Sequence, residues 1–535
     1  MSKAPLTFTV ITDLHYYAKE NGVDTKSYNY ANSKSQLLMK DSPKVLAAAF
    51  AQMAKDDKSD IILMGGDTTS NGEYSSHEGF INLCRALKAA GKRVYTITAT
   101  HDYQDDGKTN CYTEDEVFKI DCAKREELYE MYREFGMDEA IALHKQSMSY
   151  VVQLEDGYRL FALNDDKNLR GASGFSDELF MWIALQLKDA RENDQQVIMM
   201  THHPIISPSE FYSIIGKNDM MGEHALRREQ LADLGVSFIF TGHSHVHDIS
   251  YMFSEKGNPF YAISTTSPVG YPGYYRRVTL DPEAETLDIQ TVRVDEDNNL
   301  SFNGKALPQH LEDQFFGMIR NVIDAAATDM DDLAEKVQAF SVKKKLIYKI
   351  GWLIKPFAKW FRNLKVGTVA KWTKKETGLH PEDYAHIKDE RVVDFAITLP
   401  MNLYAGDGVY TPDTPYYKIT MGLLAIIDSF LETIGMPVSK FLKGTQSIRS
   451  MVEPLLYKQG IPSKDAVLPL YPTKEQLLEM FPVEKSTIES KKGMGVLIAL
   501  ILLVLVAIPL LPAIAVLLLL GFVVNQLKYG KKMND

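Results

Sequence analysis

Short apolar runs rich in β-branched and aromatic residues recur along the chain at residues 6–12, 61–64, 94–98, 158–163, 197–200, 236–240 and 261–264. Most are nearly continuous in apolar character, which predicts strands buried on both faces. Between them, residues 43–55, 76–90, 176–190 and 223–234 repeat apolar positions at helical spacing against a polar face. Strands alternating with amphipathic helices predict an α/β layered domain over residues 1–305.

The alternation then stops, and residues 306–490 read as a helical region. Residues 307–340 predict one or two helices, acidic at Asp329, Asp331 and Asp332. Residues 343–375 hold eleven Lys/Arg and no Asp or Glu. Within them Ile347, Ile350, Ile354, Phe357, Phe361 and Leu364 recur at spacings of three and four, with Lys345, Lys349, Lys355, Lys359 and Arg362 on the other side. A basic amphipathic helix of this kind suits an anionic membrane surface. Pro356 divides it, and Trp352 falls on its basic side. The plainer alternative is a helix packed on protein with a solvated basic face. Residues 376–490 add helices at 420–434 and 473–481 and a loop at 406–415, with no chemical motif.

Residues 496–524 are 29 positions without a charge, more than the ~20 that span hydrocarbon. They predict a C-terminal membrane anchor over residues 491–535. Pro509 and Pro512 stand in the middle of the run, and Lys491, Lys492, Lys528, Lys531 and Lys532 flank it. A tail anchor and a re-entrant hairpin both keep the α/β domain on the cytoplasmic side.

Composition narrows the classes. A chain of 535 residues implies two or three folded units. A formal charge of −11 argues against a general nucleic-acid binder, so no nucleic-acid partner is expected. Cys84, Cys111 and Cys122 show no Cys-x-x-Cys spacing, so neither a disulfide framework nor a zinc knuckle is expected, and a reducing compartment fits. The first residues lack the apolar core of a signal peptide.

The candidate chemistry lies at the ends of the predicted strands. Five of them run into Asp13-Leu14-His15, Gly65-Gly66-Asp67, Thr100-His101-Asp102, Thr201-His202-His203-Pro204 and Gly242-His243-Ser244-His245. One Asp after a strand is ordinarily a turn residue or a helix cap. Five Asp or His clusters at the carboxyl ends of strands would instead surround one crevice. Mixed imidazole and carboxylate ligands suit Mn, Fe or Zn better than Ca or Mg. The absence of thiolates argues against a structural zinc site. This many ligands suits two divalent ions bridged by a carboxylate such as Asp67, a pair that lowers the pKa of a bridging water. Alternate residues share a face, which lets Asp13 and His15 act together.

The ordered series Asp13-x-His15, Gly66-Asp67, His101-Asp102, His202-x-Pro204 and Gly242-His243-x-His245 resembles the calcineurin-like metallophosphoesterase family over about residues 6–280. The resemblance implies a four-layered αββα sandwich, here followed by the helical region and the C-terminal transmembrane segment. It implies Asp13, His15, Asp67 and His245 as ligands of a first metal, and Asp67, His202 and His243 as ligands of a second. It makes His101 the histidine that contacts the phosphate and protonates the leaving oxygen, with Asp102 as its orienting partner. The family's Gly-Asn-His-Asp/Glu reads Ala99-Thr100-His101-Asp102 here, so the shorter Thr100 hydroxyl takes the place of an Asn ligand on the second metal. His203 is a candidate substrate contact. His247 and Asp248 read as structural, His77 and His224 as surface helix residues, and Arg276 and Arg277 as a solvated strand start.

The resulting expectation is a membrane-attached, metal-dependent phosphohydrolase. A metal-bridging hydroxide would attack a phosphomonoester or phosphodiester, with a lipid phosphate among the candidates and anionic lipid bound through residues 343–375. The competing expectation is a catalytically impaired membrane scaffold on the same fold, for which Thr100 speaks.

Overall fold

The computed structural model describes residues 3–169, 172–209, 212, 219–337, 344–445, 447–482 and 489–490. The chain divides into two compact units, one of residues 1–321, 396–417 and 452–487, the other of residues 322–395, 418–451 and 488–535.

The first unit is built on two sheets. One has six strands in the order Ala466–Pro469, Thr286–Arg293, Tyr274–Asp281, Leu6–Ile11, Ile61–Gly65, Arg93–Ile97. Its last three strands are mutually parallel and the others pair antiparallel. The other has seven strands in the order Asp248–Phe253, Pro259–Ser264, Phe238–Thr241, Gln196–Met200, Tyr158–Ala162, Ser149–Glu155, Ala142–His144. Its four central strands are parallel.

Period-two alternation divides the second sheet between two cores. Leu160, Ile198 and Phe240 join a cluster with Phe8, Val10 and Leu63 of the first sheet. Their neighbours Phe161, Met199 and Ile239 pack instead with Leu179, Ile183 and Leu187 of the helix Asp177–Glu192. That helix starts where Ser176 accepts a hydrogen bond from Leu179 N and acidic Asp177 and Glu178 fill the first turn. The rings of Phe8 and Phe240 meet edge-on at 5.6 Å, joining the two sheets.

Two polar side chains read as exposed are buried. Arg276 is fully buried, donating to the carbonyls of Ser264 and Ser463 and to Thr265 Oγ1. His77 is also buried, hydrogen-bonded to Tyr132 Oη and to the Asp102 carbonyl.

In the second unit the helix Lys344–Phe361 packs Ile347 and Ile354 against Leu333, Ala334 and Met330. Trp360 stacks on Trp372 with ring centroids 6.2 Å apart, while Trp352 is exposed.

The expected architecture, a four-layered αββα sandwich leading through a helical region to a transmembrane segment, is corrected. The fold is mixed α/β, with sheets and a helical region, and no helix among the described residues is long and apolar enough to cross a membrane. The same finding overturns the expected membrane localisation with a cytoplasmic catalytic domain. Among the described helices the apolar residues of Lys344–Phe361 occupy one stripe, part of which is packed on neighbouring protein, rather than the whole circumference that a spanning helix needs. Residues 496–524, on which the transmembrane expectation rested, lie outside the described residues.

Candidate metal centre

The five predicted strand ends converge. Beyond the strand Leu6–Ile11, Asp13 N donates to the Gly66 carbonyl at 3.0 Å and His15 N to the Asp67 carbonyl at 2.9 Å, so the first two loops remain paired past the sheet. Gly242 N donates to the His202 carbonyl at 2.9 Å, pairing two loops of the other sheet in the same way. His101 N donates to Asp67 Oδ1 at 2.9 Å.

These loops demand unusual backbone. Asp13, His15, Asp67, His243 and His245 all have φ between 45° and 61°. Non-glycine residues rarely adopt that left-handed region, and such strain concentrates at functional sites. Gly242 solves a different problem: a Cβ there would overlap Thr12 Oγ1 and Asp13 Oδ2.

The candidate ligands form two groups, Asp13 with His15 and His245, and Asp67 with His202 and His243; in each, one ligand atom per residue lies within 4.8 Å of the others. His245 Nε2 is 3.2 Å from Asp13 Oδ1 and 3.2 Å from His15 Nε2. His202 Nε2 is 3.1 Å from Asp67 Oδ2. Asp67 Oδ2 is also 4.0 Å from His15 Nε2, so this carboxylate stands between the groups.

The site fits metal ions. His202 Nε2 is buried and makes no hydrogen bond, despite its closeness to Asp67 Oδ2. Its other nitrogen is committed to the Gly65 carbonyl at 2.8 Å, an interaction that orients a ligand imidazole. A buried nitrogen facing a carboxylate oxygen at that distance calls for a shared cation, a proton or a metal ion.

The electrostatics agree for both carboxylates and for His15 and His243; His202 is the exception, because burial, which pushes it down, is outweighed by Asp67 and Asp13, which raise it well above its ordinary value. Burial pushes the Asp13 carboxyl up, but His245 and His202 outweigh it and hold it below the ordinary value. Burial likewise opposes ionisation of Asp67, and His202 and His101 hold it well below the ordinary value. Burial, with His101 beside it, pushes His15 down to about 3. Burial and His203 push His243 well below the ordinary value. Ionised carboxylates and neutral imidazoles are the ligand forms of Asp13, Asp67, His15 and His243.

His101 lies edge-on to His15, ring centroids 4.9 Å apart, and its Nδ1 is 2.6 Å from the Ser70 carbonyl. The Asp102 carboxylate is engaged elsewhere. It accepts from Thr68 Oγ1 at 2.6 Å, Thr69 N at 2.9 Å and Ala99 N at 2.8 Å, bracing the loops that carry Asp67 and His101. Thr100 opens the turn Thr100–Asp102 beside them.

Two neighbours escaped the sequence reading. Asp165 Oδ2 accepts from His203 N at 3.1 Å, and its Oδ1 is 3.2 Å from His203 Nδ1. The His203 ring is 4.3 Å from that of His243. Asp165 lies just past the strand Tyr158–Ala162, so the signal that marked Asp13 and Asp67 also marks it. Gln36, 2.9 Å from His245 Nδ1 through its Nε2, lies in a loop with no such signal.

Residues 6–247 match the family model for calcineurin-like phosphoesterases. The match covers just under half of the chain and makes that span similar to calcineurin-like phosphoesterases. The match supports a hydrolase of phosphoester bonds, and the same span carries candidate ligands for two metal ions. Among solved structures the chain is similar to a dimetal phosphatase from Danio rerio, at 12% identity and a TM-score of 0.39, covering 54% of this chain and 97% of that one. It is also similar to a conserved uncharacterized protein, a predicted phosphoesterase, from Streptococcus pneumoniae, at 11% identity and a TM-score of 0.22, covering 55% and 92%. No curated protein matches the chain.

Proposed function

We propose that this chain hydrolyses a phosphomonoester or phosphodiester at a centre of two divalent ions, Mn, Fe or Zn. Asp13, His15 and His245 hold one ion, and His202 and His243 hold the other. Asp67 is shared, and the Thr100 hydroxyl is an added ligand on the second. The observation that carries the reading is the place of Asp67 Oδ2, 3.1 Å from His202 Nε2 in one group and 4.0 Å from His15 Nε2 in the other. When bound, such ions lower the pKa of a water and neutralise charge on the phosphoryl oxygens.

The chain's own residues do the rest. The Ser70 carbonyl takes the Nδ1 proton of His101 and fixes that ring. This leaves His101 Nε2 to hold the proton that the leaving oxygen requires. Burial works against the charged form of His101, but Asp67 and the Ser70 carbonyl outweigh it and raise its pKa above the ordinary value, as a proton donor needs. Asp102 braces the loop, and His203, clamped by Asp165, adds a contact to the phosphoryl group beside His243. The basic, amphipathic run at residues 343–375 supports a lipid phosphate among the substrates and anionic lipid as a partner.

A second reading, a metal-binding scaffold of impaired activity, has Thr100 in its favour. Metal analysis with bis(p-nitrophenyl) phosphate and p-nitrophenyl phosphate, on wild type and Asp67→Ala, tests the pair. Hydrolysis of either compound by a chain holding two ions, abolished in Asp67→Ala, supports the enzyme. A folded wild-type chain that holds ions and cleaves neither supports the scaffold.

A further inference from the structure

His245 has a partner from outside the five motifs. Gln36 Nε2 lies 2.9 Å from His245 Nδ1, and Gln36 Oε1 is buried with no hydrogen-bond partner. The Gln36 side chain also lies close enough to the Tyr404 hydroxyl to favour its ionised form. Both residues are well held. Leu38 N donates to the Val269 carbonyl at 2.8 Å, and Gln314 Nε2 donates to the Ser35 carbonyl at 2.7 Å, fixing the chain on either side of Gln36. The Tyr404 carbonyl accepts from His247 N at 2.9 Å, and its ring lies 4.8 Å from that of Phe315.

The chemistry of a ligand imidazole decides which end of the amide is needed. A neutral imidazole that offers its Nε2 lone pair to a cation carries its proton on Nδ1, and that proton needs an acceptor. An amide nitrogen cannot accept it; an amide oxygen can. Half a turn about the last side-chain bond exchanges the two ends of the planar amide in the same volume. It places Oε1 against Nδ1–H, with a second lone pair left for the Tyr404 hydroxyl.

We propose that Gln36 is a positioning residue for the first ion: its amide oxygen accepts the Nδ1–H of His245 and holds Nε2 toward Asp13 and His15, while Tyr404 anchors the amide. The inference rests on the proposed metal role of Asp13, His15 and His245. It ties that group to residues 396–417, a segment outside the family-matched span that belongs to the same compact unit.

Titration of the full-length, metal-free chain with Co²⁺, followed by visible absorption and calorimetry, tests it. The panel is wild type, Gln36→Leu, Gln36→Glu and Tyr404→Phe. Gln36→Leu is expected to weaken one of two Co²⁺ sites by about 10- to 100-fold, the usual effect of removing such a partner. It should alter the absorption of that site alone and leave melting of the metal-free chain unchanged. Gln36→Glu, which keeps an acceptor, should restore the affinity, and Tyr404→Phe should weaken the same site by less. Wild-type-like titration of Gln36→Leu overturns the inference. So does loss at both sites together with a lowered metal-free melting temperature, or a Gln36→Glu that melts normally yet binds as poorly as Gln36→Leu. A wild-type chain that takes up no Co²⁺ overturns the metal reading itself, a separate and distinguishable failure.

Discussion

The His243 N–H points at the Asp13 carboxylate, 3.0 Å from each oxygen, across a sequence separation of 230 residues. One carboxylate thus serves as acceptor for the last motif loop and as a candidate ligand in the first, so its placement decides whether the two sheets present one site or two.

Gly242 is what permits that approach. In Gly242→Ala the new methyl would overlap Thr12 Oγ1 and Asp13 Oδ2. Overpacking of this kind typically costs about 1–3 kcal/mol, and here it also pushes the Asp13 carboxylate from its place. The expected outcome is a lower denaturation midpoint and a smaller rise in melting temperature on adding Mn²⁺ than in wild type, measured by calorimetry with and without the ion. An equal rise in both proteins contradicts the proposed role of Asp13.

Thr100→Asn supplies a longer neutral oxygen donor where the proposed second ion has only a hydroxyl. Tighter binding of one of two Mn²⁺ ions is expected in a calorimetric titration. Unchanged or weaker binding shows that Thr100 does not limit that site.

His77 carries a pH-dependent part of the stability. Burial pushes its imidazole down to about 4. As pH falls below the ordinary value of about 6.5, the unfolded chain takes up a proton that the folded chain refuses. The stability from neutral His77 is therefore complete above that value and lost as pH drops toward 4, an effect of about 3 kcal/mol. Urea unfolding at a series of pH values should show a flatter acid limb for His77→Gln than for wild type. Parallel limbs sink the assignment.

The sequence by itself determined the α/β alternation, since continuous apolar runs and helical spacing follow from burial alone. The helix read at residues 176–190 is Asp177–Glu192, and the one read at 223–234 is His224–Asp233. It also determined which residues could serve as ligands, because Asp and His at the ends of parallel strands have one common place to go. Tertiary structure decided what local pattern cannot encode. The charge of Arg276 gave no sign that carbonyls from residues 264 and 463 would enclose it. The apolar stripe of the basic helix did not show whether lipid or protein would meet it, and Ile347 and Ile354 pack on protein. Gln36 reaches His245 only because chain folding brings residues 36 and 245 together, and a hydrogen bond between distant residues leaves no mark on the spacing of either.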